Sequence, residues 1–166
     1  LAGMVMTHAE QDHAQGLVYP LRTFRVGWFA SGGRWPETEL ARDVRRALAG
    51  SGAAELEVVA GQRLELGDEV ALEVLHPAAD YVHAAANNHS LALRLTSRGH
   101  GLALLPADLE RPGLADMLEA SGPVQADVLV LPHHGSDTGA LAELYRRARP
   151  GAVLGSMGHL NRYGFP

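Results

Sequence analysis

The sequence predicts a layered α/β domain, and three observations predict it. Two pairs of alternating apolar runs, each joined by a short polar turn, read as β-hairpins. Three stretches carry apolar residues at helical spacing. A third kind of run, Val128–Leu131 within "ADVLVLP", is apolar without alternation, as a strand buried on both faces is. Hairpins followed by strand–helix alternation give sheets covered by helices. The 166 residues fit one domain with a sizeable core, and 46% hydrophobic with 20% charged residues is a globular composition.

The elements follow in order. "GMVMTH" reads as a short buried strand ending at Thr7–His8, and "AEQDHAQGL" as a polar segment. "FRVGWFA" is a strand closed by Ser31–Gly33. Pro36 opens a helix with Leu40, Val44, Ala47 and Leu48 on one face, and Gly50 stops it. Glu37 and Glu39 at its start and Arg45 and Arg46 towards its end suit the helix dipole. "ELEVV" begins a strand-rich stretch. Leu64 and Leu66, then Val70, Leu72 and Val74, form a hairpin about the "GD" turn. "SLALRLTSRGHGLALLPAD" is a second hairpin with "SRGHG" as its loop. Pro112 opens a helix through Leu114, Met117 and Leu118, ended by Gly122–Pro123. Leu141, Leu144, Tyr145 and Ala148 mark a third helix, and "GAVLGSMG" is a last strand.

Composition also excludes. With no cysteine there is no disulfide and no thiolate metal site, so any metal is held by His, Asp, Glu or backbone. A net charge of −5 gives no global basic footprint for nucleic acid, although Arg22, Arg25, Arg34 and Arg162 allow a local groove. No apolar run approaches the length of a membrane span.

Nine histidines are many for this length, and their positions point to chemistry. Three apolar strands end in metal-capable side chains: His8, Glu10, Asp12 and His13 after the first, Asp108 after "LALLPA", and His133 and His134 after "LVLP". Strand ends at one edge of a sheet converge, and ligands of α/β sheets gather there. In "HAEQDH", His8 and Asp12 are four apart and share a face if a helical turn begins there, while Asp12 and His13 point apart. One loop could thus serve two ions, with Asp108 as the bridging carboxylate. Two such ions clamp the attacking and leaving oxygens of a phosphodiester and lower the pKa of a bound water. The plainer readings are a solvated loop for "HAEQDH", a helix N-cap for Asp108, core or supporting imidazoles for His133 and His134, a turn residue for His76, and loop residues for His83, His89, His100 and His159.

Taken together and in order, "THAEQDHAQGL", "LEVLHP", "NNHSLALRL", "LLPADLE", "DVLVLPHHGSDTG" and "NRYGFP" resemble the metallo-β-lactamase-like domain at the C-terminal end of ComEC-type competence proteins, the membrane channels that take up transforming DNA. The resemblance covers nearly the whole chain, and "NNxS", "PHHGS" and "NRYG" are more specific to this branch than "HxxxDH". It implies one domain over residues 1–166 with an αββα sandwich fold, lacking the strands that precede "HxxxDH" elsewhere, and so an N-terminally truncated fragment. It implies a metal-dependent nuclease acting on single-stranded DNA, degrading the strand that is not imported. The setting implied is a soluble domain of an integral membrane channel, on the extracytoplasmic face.

By position, the metal ligands are His8, Glu10, Asp12, His13, Asp108 and one of the double-histidine pair, with His133 preferred and His134 assigned with Asp12 to catalysis. Asn87, Asn88 and Ser90, together with Asn161 and Arg162, become substrate-binding candidates. Departures from the pattern are Glu10, Pro106–Ala107 in place of Thr–Gly before Asp108, and Phe165 in place of His. The oxygen-rich, thiolate-free set favours two Mn²⁺ ions over Zn²⁺ or Mg²⁺, with no cofactor beyond metal. Two rivals stand beside this reading. One is a metallo-hydrolase of a small ester, lactam or phosphodiester, favoured by the net charge. The other is a non-catalytic module binding DNA or a partner near the channel.

Overall fold

The first strand lies where the sequence puts it, at β1 (Gly3–Met6). The chain is described here from a computed structural model covering residues 1–137, 141–159 and 164. It divides into two compact units, residues 1–58 and 59–166, each with its own sheet.

In the first unit, β1, β2 (Trp28–Ser31) and β3 (Ala54–Glu57) form an all-parallel sheet in that order. Parallel neighbours need crossovers, and both are helical. The first is α1 (Gln11–Ala14), a 3₁₀ turn (Gln15–Leu17) and α2 (Val18–Thr23), where the sequence suggested only a polar segment. Gly16 and Pro20 hide the helical pattern. Pro20 falls in the first turn of α2, where its missing N–H costs nothing, while Ala14 and Leu21 are buried. The second crossover is α3 (Glu39–Ser51). Thr38 rather than Pro36 starts it: the Thr38 hydroxyl accepts from Ala41 N at 3.2 Å. Gly50 lies inside the helix, and Gly52, at φ 71°, ends it. Ala41, Val44, Ala47 and Leu48 of α3 pack with Met6, Leu21 and Phe29 into one core. "ELEVV" thus closes the first sheet instead of opening the hairpins.

The second unit has a six-stranded sheet: β4 (Arg63–Glu65), β5 (Val70–His76), β6 (Ala92–Ser97), β7 (His100–Leu105), β8 (Val128–Val130) and β9 (Ala152–Leu154), in sequence order. The first four pair antiparallel as the two expected hairpins and their junction. The pairs β7–β8 and β8–β9 are parallel, bridged by α4 (Arg111–Ala120) and α5 (Leu141–Ala148). Leu114, Met117 and Leu118 of α4 join Leu104, Leu129, Leu144 and Ala148 in the core. Each large apolar side chain buried there is worth about 1.5–3 kcal/mol.

This topology sets up one edge of the sheet. Strands β5, β7 and β8 run in the same direction, so His76, the residues after Leu105 and the residues after Val130 all emerge there.

Candidate metal centre

In the first unit, β1 delivers Thr7 and His8, and α1 delivers Asp12 and His13 in its first turn. His8 is buried, and its ring lies 4.3 Å from the His13 ring, centroid to centroid, tilted by 44°. The Thr7 hydroxyl lies between them, 3.2 Å from His8 Nδ1 and 3.4 Å from His13 Nδ1. One hydroxyl can donate to one ring and accept from the other, so Thr7 sets both imidazoles at once. Asp12 Oδ2 is 3.7 Å from His13 Nε2. The helix begins only at Gln11, after His8, so the ring neighbour of His8 is His13 rather than the four-apart Asp12. Glu10 is exposed at the N-cap of α1 and makes no capping bond with its side chain. Thr7 escaped the sequence reading, since a threonine after an apolar strand carries no signal of its own.

In the second unit, Asp108 follows β7 by three residues, and His133 and His134 follow the parallel neighbour β8 by three and four. Asp108 is 4% exposed, which its carboxylate tolerates only with partners. It is not a helix N-cap, because α4 starts later, with Glu110 at the cap position. The chain is bent sharply around these groups: Ala107, His133 and His134 all have left-handed φ (50°, 45° and 58°). The His133 amide donates to the Ala107 carbonyl at 3.0 Å, which ties the two strand ends together.

The double histidine splits. His134 Nδ1 lies 2.6 Å from the Ser156 carbonyl and so donates to it, which leaves the Nε2 lone pair facing Asp108 Oδ2 at 3.4 Å. His133 Nδ1 instead faces Glu110 Oε1 at 3.7 Å. The geometry therefore reverses the expected preference within the pair: His134, not His133, stands against the buried aspartate.

This pair fits a divalent ion. Two ligand atoms, each about 2.1 Å from a shared ion at a near-tetrahedral angle, lie roughly 3.4 Å apart. A carbonyl that holds the far ring nitrogen of a histidine is also the usual support for a metal ligand.

The "NNHS" segment lies inside the second unit. Asn88 and Ser90 are fully buried, which corrects the expectation that they meet a substrate. Asn88 Oδ1 accepts from Glu110 N at 3.2 Å and Gly113 N at 2.9 Å, capping α4 from another part of the chain. Asn87 Nδ2 donates to Glu110 Oε1 at 3.2 Å. Beneath this segment, His76 is buried rather than a turn residue, and its Nδ1 donates to the Ser90 carbonyl at 3.1 Å. Burial holds the His76 pKa below its usual 6.5, against the opposing pull of the Ser90 carbonyl and Asp116. The Tyr81 ring packs edge-on against it at 4.4 Å, and burial together with the Asp116 carboxylate pushes the Tyr81 phenol up to about 12. His89 turns its Nε2 to the His83 carbonyl at 2.8 Å, as a loop residue would. Asn161, Arg162 and Phe165 lie outside the described residues.

Comparison with known proteins fits this architecture. No family model matches the chain. It is 30% identical over all 166 residues to ComE operon protein 3 of Bacillus subtilis (strain 168), of which it spans 21%. Over 81 residues, 48% of the chain, it is 35% identical to the uncharacterized protein YcaI of Escherichia coli (strain K12), of which it spans 11%. Among solved structures, Igni18, a metallo hydrolase from the archaeon Ignicoccus hospitalis KIN4/I, superposes with a TM-score of 0.60 at 17% identity, covering 91% of this chain and 61% of Igni18. Two sheets with their helices, and strand ends that carry imidazoles and carboxylates, define a mixed α/β fold of the metallo-β-lactamase-like class. Within that class, the similarity along the whole chain is to part of ComE operon protein 3, as for a domain of the ComEC type.

Proposed function

We propose that the domain is a metal-dependent hydrolase that cuts DNA phosphodiesters during DNA uptake, degrading the strand that is not imported. The observation that carries the reading is the facing of His134 Nε2 and Asp108 Oδ2, a buried acid and a tautomer-fixed imidazole at metal-ligand spacing. The similarity to a competence-operon protein along the whole chain, and a fold shared with a metallo hydrolase, support it.

In this proposal His8, Asp12 and His13 of the first unit, and Asp108 and His134 of the second, are metal ligands, and Glu10 adds an exposed oxygen. The oxygen-rich set favours Mn²⁺, with Zn²⁺ and Mg²⁺ as alternatives. Bound ions would supply an activated water and stabilise the charge that develops on the attacked phosphate. The protein's own groups do the rest. Thr7 is in hydrogen-bond reach of Nδ1 of both His8 and His13, and the ring whose Nδ1–H it accepts presents its Nε2 as a ligand. The exposed carboxylate of Asp12 accepts the proton released on attack. His133, turned towards Glu110, faces the substrate phosphate, and Asn161 and Arg162 contribute further phosphate contacts. The domain would act as part of a membrane channel, on its extracytoplasmic face.

The net charge of −5 favours one rival, a small ester or phosphodiester as substrate. The test is to assay the purified domain with Mn²⁺ on single-stranded DNA and on chromogenic esters. The expected result is DNA cleavage abolished by His8→Ala or Asp12→Ala. Turnover of the esters alone would transfer the site to small-molecule hydrolysis. Metal binding with neither activity would leave a binding module.

A further inference from the structure

Glu110 occupies the N-cap position of α4, yet its side chain caps nothing. The cap comes from Asn88, whose Oδ1 takes the Gly113 amide, which a cap side chain would normally satisfy, and the Glu110 amide, which the N3 side chain of a capping box would reach. Gly113 makes this possible: a Cβ there would lie 2.7 Å from Asn88 Oδ1. With the helix end satisfied from outside, the Glu110 carboxylate is free to turn to the strand ends. Asn87 Nδ2 holds its Oε1 at 3.2 Å, and the same Oε1 faces His133 Nδ1 at 3.7 Å. The carboxylate and the imidazole are each about one quarter exposed, so water screens their attraction only in part.

We infer that Glu110 is a positioning residue for His133, and that Asn87 positions Glu110. A carboxylate beside Nδ1 favours the tautomer with the proton on Nδ1, so Nε2 is the atom His133 presents outward. The adjacent asparagines then have separate tasks: Asn88 caps the helix, and Asn87 aims the acid that the cap releases. The inference deepens the proposed function and rests on it only for what His133 meets. The tautomer itself is a property of the chain alone.

The test is ring-nitrogen NMR of histidine-labelled protein at pH 8, with DNA cleavage in Mn²⁺ measured alongside. In the unsubstituted chain the His133 proton is expected on Nδ1. Glu110→Ala should move it to Nε2, the preference of free imidazole. Glu110→Gln should keep it, since an amide oxygen still accepts, and Asn87→Ala should shift it in part. In cleavage, Glu110→Ala is expected to lose about 10-fold in kcat, with Glu110→Gln restoring most of it. A His133 proton on Nε2 in the unsubstituted chain, or one unmoved by Glu110→Ala, overturns the inference. If Glu110→Ala fails to fold, Asn87→Ala reads the same nitrogen, and an unmoved proton there counts equally against the chain of support. Absence of cleavage by the unsubstituted protein would sink the nuclease reading while leaving the nitrogen assignment to be judged on its own spectra.

Discussion

At the scale of single residues, the strand ends around Asp108 and His134 are built from strained backbone. Ala107 sits at φ 50° directly before Asp108, a conformation that costs an L-residue about 1–2 kcal/mol. Glycine there would lose about 0.5–1 kcal/mol in chain entropy, so Ala107→Gly is expected to stabilise the protein by about 0.5–1 kcal/mol. Urea unfolding checks this, and a loss of stability would mean that Ala107 makes contacts worth more than its strain. His76 makes a second prediction. Its pKa lies below 6.5 when folded, so the unfolded chain takes up the proton first as pH falls. The stability this group contributes is complete above pH 6.5 and is lost as pH falls through its lowered folded value. Melting temperature should therefore fall more steeply below pH 6.5 in the unsubstituted protein than in His76→Gln, and parallel profiles would contradict the assignment.

The residue types of the site were legible in the sequence and their roles were not. "HAEQDH", Asp108 and "PHH" stand out because imidazoles and carboxylates after apolar strands have little structural use. Which imidazole meets Asp108 depends on two left-handed φ angles and on the Ser156 carbonyl, 22 residues further on. Asn88 reads from the sequence as a substrate-binding candidate, because the partners it caps, Glu110 and Gly113, are far along the chain.

At the scale of elements, the apolar periodicities placed most strands and helices, and errors gathered at helix ends. The α3 start was read from Pro36, but the side chain that satisfies an orphan amide is Thr38. Thr38→Ala should cost about 1 kcal/mol in urea unfolding, and no change would show that water caps the helix equally well. The crossover from Gln11 to Thr23 was missed because Gly16 and Pro20 break its pattern, while its burial comes from tertiary packing. Helix α4 yields the converse prediction. Gly113→Ala gains helix propensity but drives a methyl against Asn88 Oδ1, so a net loss of about 1–3 kcal/mol is expected. Thermal melts of Gly113→Ala and Asn88→Ala, singly and together, check it: the two losses should be less than additive if both break the same cap.

At the scale of the whole molecule, each unit contributes imidazoles and carboxylates at the C-terminal ends of parallel strands. The chain spans 21% of ComE operon protein 3, so its setting in a larger protein belongs to the proposal. No helix among the described residues is long and apolar enough to cross a membrane. The proposal counts His8 and Asp108 alike as metal ligands, so loss of either should lower the metal bound. The most direct measurement is bound Mn²⁺ and single-stranded DNA cleavage on the same samples of the unsubstituted domain, His8→Ala and Asp108→Ala. The account predicts metal and cleavage together in the first and the loss of both in each variant. Stoichiometric metal in the unsubstituted domain without phosphodiester cleavage would contradict it.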